Sequence, residues 1–324
     1  MSAAKRWDER LLRRLKLRDL RVLMAVAQSG SMGRTAAELA MSQPAVSKAI
    51  AEMEHALGVN LLNRTTQGVE PTLYGRALLK WATIVFDDLQ QAVEEIEHLS
   101  DPASGSIRIG STDAMLAAFL PAVIERFSRQ YPKVVFDVLP SATFADQYAD
   151  LRARRIDLII GRILSPAANA EEFQTETLFE DPLMPAAGLG SPWLRRRRIE
   201  PVELVDAIWA IPPDASFVRP LIDDAFRAQG LEAPRHVVGS NSVQLSTALL
   251  ATGRFVGVLS GSTLRLAGKR LGLKRLSVDL PIMPLTTGIV TVRKRALSPA
   301  CRAFIDCARE VARPFHRPRT VARR

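Results

Sequence analysis

The chain has 324 residues, 47% hydrophobic and 6% aromatic, with 44 Lys/Arg against 34 Asp/Glu for a net charge of +10. That length predicts two or three domains, and the apolar content favours cores of Leu, Val, Ile and Ala over a disordered chain. The basic balance points to a polyanionic partner or an anionic ligand. No run nears the ~18 apolar residues of a membrane span, and residues 1–14 lack a signal-peptide core, so no membrane partner is expected. Cys301 and Cys307 fit no zinc spacing and fall on different faces of one helix, so a reducing, cytoplasmic setting is the expectation.

Residues 1–80 hold 13 Lys/Arg and 7 Asp/Glu, which concentrates the positive charge in the first quarter of the chain. Leu17–Gln28 has one apolar face at helical spacing, and Gly30 ends it. Gly33–Ala40 is a short, alanine-rich helix. Ser42 caps a third helix whose first turn tolerates Pro44, and Val46, Ile50, Met53 and Leu57 form its stripe up to Gly58. Two helices joined by a short turn, the second capped, describe a helix-turn-helix. Packing that stripe inward leaves Gln43, Ser47 and Lys48 on the outer side, with chemistry suited to adenine, to base or phosphate, and to guanine or phosphate. Leu61–Thr72 then reads as a small hairpin, a wing, with Arg64 at its tip for a minor groove or a phosphate.

Thr72 caps a long helix to about Leu99, with apolar residues Leu78, Trp81, Val85, Leu89, Val93, Ile96 and Leu99 at coiled-coil-like steps. Such a stripe needs a partner surface. Self-association supplies one, and packing on its own chain is the alternative. Asp101–Gly105 breaks the helix as a hinge. Beyond it, strands at Ile107–Gly110, Val134–Leu139 and Asp157–Gly161 alternate with helices at Ala114–Gln130 and Phe144–Arg154, which predicts a mostly parallel sheet faced by helices. A second set follows. Its strands lie near Glu176–Leu183, Ile208–Ile211, His236–Gly239 and Phe255–Leu259, and its helices at Val218–Gln229 and Val243–Ala251. A strand at Leu285–Val292 and a helix at Pro299–Ala312 end the pattern. The reading is two α/β lobes around a cleft, with crossings near Gly161 and Gly261–Leu280.

The runs Ala36-Ala37-Glu38-Leu39, Ser42-Gln43-Pro44-Ala45-Val46-Ser47, Leu61-Leu62-Asn63-Arg64 and Pro71-Thr72 closely resemble the LysR-type transcriptional regulators. The likeness reappears at Gly105–Gly110, Tyr131-Pro132 and Asp157–Gly161 and covers roughly residues 14–312. It implies a winged helix-turn-helix over 1–72, a dimerising linker helix over 73–100, and an effector domain over 101–312 like the type 2 periplasmic binding proteins. Lobe I would take about 106–161 plus 284–312, lobe II about 162–283, and a basic tail 313–324. It further implies double-stranded DNA as partner, a homodimer or homotetramer, RNA polymerase as a further candidate, a small-molecule effector and no other cofactor or metal. Contacts to DNA carry over to Arg34, Ser42, Gln43, Pro44, Ser47, Lys48, Arg64 and Thr72. Met32-Gly33-Arg34-Thr35 departs from the pattern, since many relatives carry an aromatic there.

Ligands of two-lobed binders meet strand ends and helix starts near the hinge. By matched position the effector contacts are Ser111, Thr112, Asp113, Ser141, Thr143, Arg162, Ser216 and Phe217. Each Ser or Thr also reads as a plain helix cap. Arg162 suits a carboxylate, whereas Asp113 with several hydroxyls suits a polyol or sugar, and both classes stay open.

Rival functions fit less well. No nucleophile-elbow, zincin, phosphate-loop or dinucleotide motif is present, and His55, His98, His236 and His316 lie far apart, so no enzyme is expected. A solute-transport protein would leave the first 75 residues unexplained. An architectural DNA-binding protein would use the same head without sensing anything. The Arg195–Arg198 run reads as a solvated loop, and the tail with Arg313, Arg317, Arg319, Arg323 and Arg324 as a disordered basic segment.

Overall fold

The computed structural model describes residues 15–65, 68–101, 103–140, 143–163, 171–234 and 237–315. It divides into one unit up to Ala92 and a second from Val93.

The first unit opens with α1 (Leu17–Ser29), α2 (Met32–Glu38) and α3 (Gln43–Leu57). Val22, Leu23 and Val26 of α1 meet Val46, Ile50 and Met53 of α3 in one buried cluster, closed by Ala36, Leu61 and Leu62. Burying each of the larger side chains contributes about 1.5–3 kcal/mol. Gly30 and Gly58 stop α1 and α3 in left-handed conformations. Strands β1 (Leu62–Thr65) and β2 (Gly68–Pro71) pair antiparallel as the expected wing. Two local ties place it. Glu54 accepts from the Leu61 and Leu62 N–H groups at 2.8 and 3.2 Å, and Val69 N–H donates to the Gly30 carbonyl at 3.0 Å. A methyl group on Gly68 would lie 2.7 Å from that carbonyl, so the close approach requires glycine.

Helix α4 (Leu73–Ser100) has 28 residues, about 42 Å at 1.5 Å per residue. Leu78 joins the head core and Ala82 is buried. Trp81, Val85, Leu89, Val93, Ile96 and Leu99 remain exposed, Leu99 by 79%. The expected stripe therefore exists, and the described residues leave it largely exposed.

In the second unit, strands β3 (Ser104–Ser111), β4 (Lys133–Pro140), β5 (Leu158–Arg162), β6 (Phe173–Asp181) and β12 (Leu285–Val292) form one sheet in the order β4-β3-β5-β12-β6. Strands β7 (Leu183–Gly188), β8 (Trp209–Ile211), β9 (Val237–Gly239), β10 (Val256–Ser260) and β11 (Leu273–Arg275) form the other, ordered β11-β7-β10-β8-β9. In each sheet three neighbouring strands are parallel, the fourth (β12 or β7) runs antiparallel to them, and the edge strand beyond it (β6 or β11) is antiparallel to that fourth strand, so both sheets are mixed. The lobes keep separate apolar clusters, one around Phe119, Phe127 and Phe304, the other around Trp209 and Phe226.

Three boundaries differ from the sequence reading. The helix expected over Ala114–Gln130 is two, α5 (Asp113–Leu116) and α6 (Phe119–Gln130), because Ala118 leaves helical geometry and Pro121 sits in the first turn of the second. The single strand expected at Glu176–Leu183 is β6 and β7, in different sheets. The first crossing is therefore at Pro182 rather than near Gly161, and lobe I keeps the chain to Asp181. The third is α10 (Gly261–Leu271), which was not foreseen. Helices α7 (Phe144–Arg152), α8 (Arg219–Arg227), α9 (Val243–Ala251) and α11 (Pro299–Ala312) lie where expected. Cys301 and Cys307 on α11 are free thiols.

Candidate functional site

Two surfaces carry the chemistry, one in each unit. In the head, the Ser42 hydroxyl accepts from Ala45 N–H at 3.3 Å and fixes the start of α3. Ser42, Gln43, Pro44 and Lys48 are exposed and Ser47 is half-buried, so inward packing of Val46 and Ile50 turns this edge outward. Lys48 reaches Glu52 only at 3.8 Å, with both side chains in solvent. On α2, Ser31 caps Arg34, and the exposed Arg34 guanidinium reaches back to the Ser29 carbonyl. Arg64 lies on β1 of the wing, in register with Val69. Thr72 has its hydroxyl engaged within the protein. Its hydroxyl accepts from Gly75 N–H at 3.0 Å and donates to the Asn60 carbonyl at 2.7 Å, so the joint between wing and α4 uses it. The same joint needs Gly75, where a methyl group would sit 2.0 Å from the Leu61 carbonyl oxygen.

In the second unit, the cleft side of the lobes is marked by contacts that cross it. The Asp113 carboxylate, at the start of α5, accepts from Val243 N–H at the start of α9 at 2.7 Å. Phe144 on lobe I and Phe217 on lobe II meet edge to face, ring centres 5.2 Å apart. Arg270 of α10 reaches the Ala117 carbonyl at 3.4 Å. Asp113 and Phe217 thus lie where the two lobes meet.

Other expected contacts are otherwise engaged. Ser111 is fully buried and donates to the Ile160 carbonyl at 2.8 Å, which ties β3 to β5. Thr143 caps α7, accepting from Asp146 N–H at 3.1 Å. Ser216 braces its own loop by accepting from Val218 N–H at 3.3 Å. Ser141 lies outside the described residues.

Arg162 is the main correction. It is 5% exposed, and its guanidinium holds Asp181 at 2.9 Å and the Thr287 hydroxyl at 2.5 Å. Asp181, fully buried, also accepts from Ser262 N–H at 2.9 Å and from the Ser262 hydroxyl at 2.5 Å. Burial lowers the Arg162 proton affinity, and the Asp181 charge opposes that. The residue expected to anchor a carboxylate is therefore a partner in an internal ion pair, one residue before the crossing at Pro182.

Sequence reasoning missed Gln147. This α7 residue is 1% exposed, and its Nε2 has no hydrogen-bond partner among the described residues. The Thr112 hydroxyl is likewise buried and unpartnered, although Thr112 stands at the N-cap of α5. A methyl group on Gly161 would come within 3.7 Å of Gln147 Oε1 and 4.0 Å of Thr112 Cγ2, so both side chains flank the same point at the carboxyl end of β5. The described residues contain no cluster of metal-ligand side chains. None of their helices is long and apolar enough to cross a membrane.

Residues 17–76 match the family model described as bacterial regulatory helix-turn-helix protein, lysR family, and residues 100–313 match that of the LysR substrate binding domain. The HTH-type transcriptional regulator GbpR of Azospirillum brasilense is 32% identical over 305 residues, covering 91% of this chain and 86% of that protein. The regulator GalR of Pseudomonas putida is 28% identical, with 91% and 73% covered. Among solved structures, full-length OxyR from Pseudomonas aeruginosa aligns with a TM-score of 0.61 at 22% identity, over 93% and 96% of the two chains. CbnR complexed with its target DNA aligns at 0.52 and 20% identity, over 92% and 100%. These last two likenesses concern the fold.

Proposed function

From the premise that this chain belongs to the LysR family, transcriptional regulators with a helix-turn-helix DNA-binding domain and an effector-binding domain, we propose how its own residues divide that work. The observation that carries the reading is the outward edge of α3, where Gln43, Ser47 and Lys48 project from a helix whose other face is core. Gln43 reads a base, by its two-point match to adenine, while Lys48, Arg34 and Arg64 neutralise phosphates. The uncovered stripe of α4 pairs two copies, which supplies the two heads that a dyad site needs. A homodimer is the minimal unit and a homotetramer its doubled form, with RNA polymerase as a downstream partner in the cytoplasm.

The effector enters between the lobes and changes their closure, and DNA geometry follows by linkage. The chain works without catalysis, metal or further cofactor. Fluorescence anisotropy on dyad-containing DNA tests the assignment. Lys48→Ala and Arg64→Ala should weaken binding to all sequences and lower the salt slope by about one each. Gln43→Ala should cost ~1–3 kcal/mol on the cognate site only. Equal losses on scrambled DNA for Gln43, or unchanged salt slopes for both cations, refute the assignment. Sedimentation of a Trp81→Glu, Leu89→Glu variant checks the pairing face, which fails if the variant stays dimeric.

A further inference from the structure

The sequence left two effector classes open, and the cleft chooses between them. We propose that the effector is an uncharged, polyhydroxylated molecule of sugar size, hydrogen-bonded by Thr112, Asp113 and Gln147. The proposal rests on the effector-binding reading of the cleft and goes beyond it by assigning the chemistry.

Three observations converge. The cation expected to hold a carboxylate is absent from the cleft as a free charge, because Arg162 is buried against Asp181. The helix starts that would otherwise attract an anion are already supplied with acids. Asp146 lies in the first turn of α7, and the Asp113 carboxylate itself takes the N–H of Val243 at the start of α9, where Ser242 caps Leu245. An entering carboxylate would meet Asp113 without the Arg162 guanidinium to offset it, while Arg270, the cation that does cross the cleft, reaches the Ala117 carbonyl at 3.4 Å. Finally, the polar groups at this point are of mixed kind: the unpartnered Gln147 Nε2 donates only, the unpartnered Thr112 hydroxyl does either, and Asp113, which takes the Val243 N–H, accepts only. A carboxylate can only accept, so it suits Gln147 and Thr112 but offers Asp113 no donor in place of Val243 N–H. A hydroxyl both donates and accepts, and several on one ring satisfy all three.

Phe144 and Phe217 add flat apolar surface from opposite lobes, suited to the C–H face of a sugar ring. Gln147 is 1% exposed and its Nε2 has no partner, a state that normally costs free energy unless something supplies the hydrogen bond. Parting of the lobes breaks the Asp113–Val243 contact. A hydroxyl entering there replaces the Val243 N–H as the donor to Asp113.

The test is calorimetric titration of the full chain with neutral aldopentoses, aldohexoses and inositol, alongside the corresponding aldonic and uronic acids. At least one neutral member should bind, and its acid should bind tenfold or more weakly. Asp113→Asn should weaken the neutral ligand about ten- to a hundredfold. Gln147→Met should weaken it comparably while leaving the melting temperature of the empty protein unchanged or higher. A merely structural glutamine would lower that temperature when replaced. Tighter binding of the acids, no binding of any neutral member at about 10 mM, or wild-type affinity in both variants overturns the proposal. If acids bind and Asp113→Asn strengthens them, the cleft still senses an effector and only its chemistry is wrong. A ligand indifferent to all cleft substitutions would instead move sensing elsewhere and overturn both readings.

Discussion

Asp181→Asn changes one atom and removes one charge, yet the structure makes it costly. The carboxylate is fully buried and accepts from Arg162, Ser262 N–H and the Ser262 hydroxyl. An amide fills the same volume but turns one acceptor into a donor facing Ser262 or Arg162. It also leaves the guanidinium, 5% exposed, without its counter-charge. Removing one partner of a buried pair costs about 3–5 kcal/mol, and for a domain of this size each kcal/mol moves the melting temperature by about 2–4 °C. The expected fall is therefore about 6–20 °C in the transition of the second unit, read by calorimetry. Arg162→Met should cost less than Asp181→Asn, because Asp181 keeps the two Ser262 donors. The double variant should recover part of the loss, since neither buried charge then lacks a partner. A fall below about 2 °C for Asp181→Asn, or strict additivity in the double variant, would show that the pair is not a coupled unit.

Further expectations concern single positions. Gly75→Ala pushes a methyl group to 2.0 Å from the Leu61 carbonyl oxygen, so the joint between wing and α4 must shift. A loss of at least about 1–3 kcal/mol in the head is expected, and wild-type melting would contradict the packing. Burial lifts the Cys301 thiol to about 12. The fold thereby favours the protonated form, a contribution complete below the ordinary value of 9.0 and declining as pH rises from there toward 12. Native Cys301 should therefore resist a chromogenic disulfide reagent at pH 8 and react once the chain is unfolded. Rapid native labelling of Cys301 would refute its burial. The hydrogen bond from Lys133, then that from Ala103 N–H, holds the Asp101 carboxyl below its usual 3.8. That contribution is present above 3.8 and is lost as pH falls through the lowered value. Lys133→Met should bring the Asp101 titration, followed by carboxyl NMR, back up toward 3.8, and an unmoved titration would rule the contact out.

Much of the fold was legible because local signals agreed with one another. Ser42 and Pro44 announced the start of α3, Gly30 and Gly58 announced stops, and apolar spacing placed α4, α9, β12 and α11 nearly to the residue. The misreadings have physical causes. Glu176–Leu183 is continuous in β propensity, and only Pro182, which cannot donate in a ladder, marks the change of sheet. Pro121 was the available sign that a new helix begins at Phe119. Helix α10 starts Gly-Ser-Thr and contains Gly268, so propensity argued for a turn, while Ser260 and lobe II packing won. In the site, the outer edge of α3 followed from the stripe opposite it. Arg162 was misassigned because its partners Asp181 and Thr287 are distant in sequence and meet it only through the sheets. Gln147 gave no signal at all, since a glutamine on a polar helix reads as solvated surface.

The separate cores of the two lobes have an evolutionary consequence. The residues that face the cleft, such as Asp113 and Phe217, sit at a helix start and in a loop outside both clusters around Phe119 and Trp209. Changing them disturbs neither interior, so ligand preference can drift across a lineage at little cost in folding. The welded crossing at Asp181 and Arg162 is the reverse case, where one substitution strands a charge. Diversification should therefore proceed through the cleft rim and around, rather than through, that crossing.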